Sequence, residues 1–116
     1  MLLSVCFLEP VNKLWFRVTS AGSPDETMYE YTNITLNINV GPTSTITAMS
    51  NGYPSANFTF VELKLNNGSV VTHGNVTNRL SITFYNEGVQ MYNCTTFNVV
   101  QFNLATVTAT IIVTSK

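Results

Sequence analysis

Charge is what this chain has least of. Five Lys and Arg and six Asp and Glu occur among 116 residues, for a net charge of −1. The five basic residues, Lys13, Arg17, Lys64, Arg79 and Lys116, are scattered, whereas nucleic-acid binding needs them clustered on one face. There is one histidine, His73, and there are two cysteines, Cys6 and Cys94, far apart. A metal centre needs several ligands at defined spacing, and no metal site is expected. A Ser, His and acid arrangement cannot be composed around one His with no nucleophile motif. A phosphate-binding glycine loop is also missing. The expectation is therefore a chain with no catalytic residues and no cofactor. Asp25-Glu26, in "AGSPDE", reads as a solvated turn rather than a calcium-binding pair, and His73, in "VVTHGNVT", reads as a solvated loop residue. No apolar run reaches the ~20 residues of a membrane-spanning helix. "MLLSVCFL" is similar to the apolar part of a signal peptide but has no basic start and no cleavage pattern after it. The chain is accordingly read as one domain, residues 1–116, cut from a longer protein whose anchor lies elsewhere.

In place of charge the chain has Asn, Thr and Ser. Fourteen residues are Asn. These side chains hydrogen-bond to the local backbone and compete with helix, so they suit strands, turns and loops. Apolar residues alternate with them at period two. In "LATVTATIIVT", Ala105, Val107, Ala109, Ile111 and Val113 share one face, with Thr106, Thr108 and Thr110 on the other. "ITLNINV", "RLSITFY" and "KLWFRVT" repeat the pattern, and weaker strands are expected at 2–8, 28–31, 44–49 and 58–65. "AGSPDE", "VGPTS", "SNGYPS", "NNGS", "THGN" and "NEG" read as turns between them, and Asn67-Gly68 carries a strong hairpin signal. No segment sustains a period of 3.6. Many short strands with frequent turns predict an all-β sandwich or barrel.

At "GVQMYNC" the chain resembles the immunoglobulin superfamily. In that family a Tyr two residues before a core-facing Cys hydrogen-bonds back to the preceding corner. Tyr92 and Cys94 fit, with Asn86-Glu87-Gly88 as the corner, "TTFN" leading out of that strand and Leu104–Thr114 as the last strand. The resemblance implies an immunoglobulin-like β-sandwich, a Greek key of the variable (V-set) type. Three registers place the remaining strands. The first uses Cys6 and Trp15 as the hallmark Cys and Trp. The second is of the intermediate set (I-set), with Ala48 where strand B would carry Cys and Phe60 where strand C would carry Trp. The third, favoured by total length, puts strand B near Lys13 and strand C near Tyr29–Leu36. The resemblance also implies an ion pair between Arg79 and Glu87, against the alternative of two solvated charges worth under ~1 kcal/mol. In style, through lost hallmark residues and an Asn/Thr-rich surface, the chain resembles the ectodomains of hydroid allorecognition proteins and viral immune-evasion glycoproteins.

Two cysteines in a small extracellular domain usually pair. The expected disulfide, Cys6–Cys94, would close about 88 residues and contribute roughly 4–5 kcal/mol; the alternative is two buried free thiols packed as small hydrophobes. Glycosylation sequons stand at Asn33, Asn57, Asn67, Asn75 and Asn93, against about three expected by chance from such a composition. Phe16, Phe60, Phe84 and Tyr92 are assigned to the core. Tyr29, Tyr31, Phe97 and Phe102 are expected on or near strands C, F and G as anchors for a protein partner; the alternative is that they fill the core or cover its rim. The expected function is recognition or adhesion at the extracellular face of the plasma membrane, through a protein partner that includes a second copy on an opposing cell. A viral immunomodulatory domain that binds a host receptor, and a structural spacer that binds nothing, are the alternatives.

Overall fold

The computed structural model describes residues 8–20, 26–30, 33–63, 70–75 and 78–115. They form nine strands: β1 (Leu14–Ser20), β2 (Glu26–Glu30), β3 (Ile34–Ile38), β4 (Ser44–Ser50), β5 (Asn57–Leu63), β6 (Val70–Asn75), β7 (Arg79–Ile82), β8 (Val89–Val100) and β9 (Asn103–Ser115). One sheet has the order β2-β1-β4-β7 and the other β3-β9-β8-β5-β6. Every pairing is antiparallel except β3 with β9, which is parallel.

Period-two alternation decides which side chains enter the core. The inward positions are Leu14, Phe16 and Val18 on β1, Ile46 and Ala48 on β4, and Ile82 on β7. From the other sheet come Ile34, Leu36 and Ile38 on β3, Phe60 on β5, Tyr92 and Cys94 on β8, and Ala109, Ile111 and Val113 on β9. Phe16 and Phe60 are fully buried, and truncating either to Ala would cost about 3–5 kcal/mol. All four aromatics assigned to the core from sequence are buried. Polar groups inside are paired: among the described residues no buried side-chain nitrogen or oxygen lacks a partner.

One polar contact links β4 and β8 across the two sheets. The Thr96 hydroxyl on β8 donates to the Ser50 hydroxyl on β4 at 3.2 Å. Both side chains are short, so the two backbones approach closer here than the ~10 Å usual between packed sheets. β4 runs opposite to β5, to which a short turn joins it, and β5 runs opposite to β8. β4 and β8 therefore run the same way. Two residues back from Ser50 and Thr96 stand Ala48 and Cys94, both inward and fully buried.

Three sequence expectations are corrected. "THGN" is not a turn, and His73 lies in β6, not in a loop; pairing with β5 overrides the local glycine signal, which an edge strand tolerates. The segment Tyr29–Leu36 does not flank β8. Tyr29 is in β2, in the opposite sheet, and Leu36 is in β3 beyond β9; the strand beside β8 is β5. The chain also does not leave β8 at "TTFN", since that strand continues to Val100. The strand expected over 2–8 and the Asn67-Gly68 turn lie outside the described residues, save Leu8, which is in no strand.

Candidate functional site

The last β5 residue paired with β8 at this end is Asn57, opposite Phe97. Beyond it the β8–β9 hairpin continues alone, through Asn98–Val100 and Asn103–Ala105. The two turn residues, Gln101 and Phe102, have φ of 50° and 67°. Positive φ at both central positions is the turn geometry that matches strand twist, and it favours Asn-Gly. A Gln and a Phe there each cost on the order of 1–2 kcal/mol relative to ordinary backbone. The Phe102 side chain is fully exposed, Leu104 is 66% exposed and Val99 is 55% exposed. Val99 and Leu104 are directly opposed across the hairpin, so the three form one apolar tip.

The tip stands on a polar support. Asn98, buried on the inner face of β8, makes three side-chain hydrogen bonds. Its Oδ1 accepts from the Val11 N–H at 3.1 Å. Its Nδ2 donates to the carbonyls of Glu9 at 2.9 Å and Pro54 at 3.0 Å. Glu9 and Tyr53 exchange both backbone hydrogen bonds at 2.9 Å. Asn51 Oδ1 accepts from the N–H groups of Asn12 and Lys13 at 3.0 and 2.9 Å, and its Nδ2 donates to Glu9 Oε1 at 2.6 Å. Between them, Gly52 has φ of 132°, and a Cβ there would lie 2.8 Å from Val11 Cγ1 and 3.0 Å from Asn98 Nδ2. Glycine is required at this position for both conformation and space. Segment 9–13, the β4–β5 turn and the hairpin are thus tied into one end of the sandwich, where Leu8 and Tyr53 are also exposed.

The outer face of the five-stranded sheet carries no charge on β5, β8 or β9, where it is built from Thr, Asn and apolar residues. Thr95 and Thr108 share a hydroxyl hydrogen bond at 2.9 Å, and the Thr110 hydroxyl donates to Asn93 Oδ1 at 3.0 Å. Phe97 is half-buried on this face.

Of the four aromatics expected together, the structure brings Phe97 and Phe102 to one hairpin and puts Tyr29 in the other sheet; Tyr31 lies outside the described residues. Cys94 is a free buried thiol, pushed up to about 12 by burial, which leaves it protonated and unreactive at neutral pH. Cys6, its expected partner, lies outside the described residues. Tyr92 is buried as expected, but its hydroxyl donates to Gln90 Oε1 and not to the corner backbone. Burial raises the Tyr92 phenol to about 12, with a further push from the Glu62 carboxylate. Arg79 and Glu87 are both exposed. Among the sequons, Asn33 and Asn57 are exposed and Asn93 is half-buried in the middle of the uncharged face. Asn75 ends β6, and Asn67 lies outside the described residues.

Sequence reading missed Asn98 and Asn51. Each acts on backbone tens of residues away, and no local pattern distinguishes them from the other Asn residues. A signal did exist for the tip, because a two-residue Gln-Phe turn between alternating strands breaks the usual turn chemistry. Among the described residues no three His, Cys, Asp or Glu side chains converge as metal ligands. No described helix is long and apolar enough to cross a membrane. No family model, curated protein or solved structure matches the chain.

Proposed function

We propose that this chain is an extracellular recognition module with an immunoglobulin-like fold, and that it binds a protein partner through the β8–β9 hairpin tip and the adjoining uncharged face. The observation that carries the reading is Phe102. It is a large aromatic, fully exposed, held in a backbone conformation that its residue type disfavours. A turn selected for stability alone would carry Gly or Asn. Exposed aromatic anchors are the usual energetic centres of protein interfaces, and strained backbone persists where it serves function.

The order β9-β8-β5-β6 supports the immunoglobulin reading, since it matches G-F-C-C′ of a variable-type domain, while β1-β4-β7 matches A-B-E. On this assignment the second register applies, with Ala48 and Phe60 at the hallmark positions. β2 and β3 are extra strands, and none among the described residues answers to strand D. The partner is a protein, a second copy on an opposing cell included, and no catalysis or cofactor enters the reading. A surface this poor in charge with several sequons fits the extracellular face of a plasma membrane.

The test is clumping of beads coated with the chain alone, or of beads bearing it mixed with candidate cells. Phe102→Asp should abolish binding without lowering the melting temperature. Binding that survives Phe102→Asp would refute the tip as the site. An N-glycan found at Asn93 would cover the face and favour a spacer.

A further inference from the structure

The hairpin leaves half of one strand edge open. β3 pairs with β9 only from Ile111 onward, so the stretch from Asn103 to Ala109 has no neighbour on that side among the described residues. Val100 and Asn103 flank a two-residue turn and form a hydrogen-bonded pair with each other, and such pairs alternate along an antiparallel ladder. Residues 103, 105, 107 and 109 therefore address β8, while Leu104, Thr106 and Thr108 point their N–H and C=O groups outward. Two observed bonds confirm this parity. The Thr110 N–H leaves β8 and donates to Asn33 Oδ1 at 3.0 Å, and the Ser115 N–H turns back to the Gly88 carbonyl at 3.1 Å.

Sheet edges usually carry a guard against pairing with another chain. β2 and β3 are five residues long, β7 is four residues long with Arg79, and β6 is shifted in register against β5. The open half of β9, Asn-Leu-Ala-Thr-Val-Thr-Ala, has neither charge nor proline, and its pairing with β8 is unbroken.

We infer that this edge is completed by a second copy of the chain, its own β9 lying antiparallel with Thr106 opposite Thr106. The gap selects both the occupant and the register. It is bounded by the hairpin turn at one end and by the start of β3 at the other. The same stretch of a second copy, reversed about Thr106, fills it, and the second copy's turn comes level with Asn33, where β3 begins. Thr106 then pairs with its equivalent and Leu104 with Thr108, so every outward N–H and C=O of the open half is used and the Thr110–Asn33 bond stays intact. Both surfaces are uncharged, so nothing repels the approach. The two β9 strands point in opposite directions, which suits copies arriving from opposing surfaces. This deepens the recognition reading by naming the partner, and it stands or falls on its own register.

The experiment uses the whole chain in a Cys6→Ser background, so that buried Cys94 is the only other thiol. Residues opposite each other in a hydrogen-bonded pair have Cα atoms about 5.5 Å apart, within the ~4.4–6.8 Å that a disulfide spans. Thr106→Cys should yield a covalent dimer under mild oxidation. Thr108→Cys, whose equivalents would be four residues out of step, should stay monomeric at the same concentration. Thr106→Pro removes only the outward N–H, so it should abolish the dimer in analytical ultracentrifugation while the monomer still melts cooperatively. No cross-link at residue 106, equal cross-linking at both positions, or a dimer that survives Thr106→Pro would overturn the inference. Beads that clump equally well with Thr106→Pro would sink this edge and leave the recognition reading standing.

Discussion

Replacing Ala48 by Cys should create a disulfide with Cys94. The Thr96–Ser50 hydrogen bond aligns β4 and β8 as parallel neighbours across the core, and two residues back on each strand are Ala48 and Cys94, both fully buried. On the immunoglobulin reading this is the position of the B–F bridge. The new bond would close a loop of about 46 residues, worth roughly 4 kcal/mol on the chain-entropy model. For a domain of this size that is a rise in melting temperature on the order of 15 °C. The reduced variant carries an added sulfur in a packed site and should be about 1–3 kcal/mol less stable than the native chain. The assay is thermal unfolding of Cys6→Ser/Ala48→Cys with and without reductant, alongside thiol titration of the unfolded protein. A large reductant-sensitive shift with no titratable thiol is expected. Two free thiols and superimposable melts would show that β4 and β8 are not aligned as the Ser50–Thr96 contact indicates, and the second immunoglobulin register would fall with them.

The turn should trade stability against binding. Gln101→Asn with Phe102→Gly relieves part of the positive-φ cost, the added glycine entropy of the unfolded chain offsetting the rest, and should stabilise the chain by about 1–2 kcal/mol in urea unfolding while abolishing partner binding; unchanged binding would refute the anchor. Asn98→Ala leaves three backbone groups unpaired and should cost about 3 kcal/mol, with faster hydrogen exchange at Val11; a loss under about 1 kcal/mol would mean the support is dispensable. Alkaline pH should destabilise the fold. The native Cys94 and Tyr92 values, both about 12, lie above the ordinary 9 and 10. The folded state therefore holds these protons more tightly, and their contribution is complete below pH 9 and lost as pH rises toward 12. In Cys94→Ala the onset should move from about pH 9 to about pH 10 in pH-dependent denaturation, and an unmoved onset would contradict the burial assigned to this thiol.

The strands were legible where apolar residues alternate cleanly with Thr or Asn. β9 and β3 follow the sequence pattern residue by residue, because period-two alternation is itself the condition for burying one face. Tyr92, Cys94 and Phe60 were legible as core for the same reason. Sheet membership was not. Nothing local to Tyr29 or Leu36 says which sheet will take them; that depends on β3 crossing to pair in parallel with β9, a contact between residues far apart in sequence. Length alone favoured the register that proved to place the wrong strand beside β8. The site was half legible: Phe97 and Phe102 could be picked out as aromatics on the last hairpin, but the Asn98 and Asn51 network could not, because its partners are backbone groups that folding brings near.

Exposure by itself does not single out the hairpin tip, and the opposite end of the sandwich shows why. Val40, Tyr85 and Val89 are exposed there too, Tyr85 at 83%. Their bends carry no positive φ at a non-glycine residue, and Gly41, with φ of 107°, takes the one left-handed position itself. At the tip, glycine is withheld from the two residues that would gain most from it, and a buried Asn side chain holds the hairpin by three bonds. That combination runs against stability at the turn and toward rigidity beneath it, as expected of a displayed anchor. Tyr85→Ala is thus the matched control for Phe102→Ala. Both delete an exposed aromatic ring at little cost to folding, and bead clumping should fall only for Phe102. Equal losses, or a loss confined to Tyr85, would move the binding surface to the other end of the molecule.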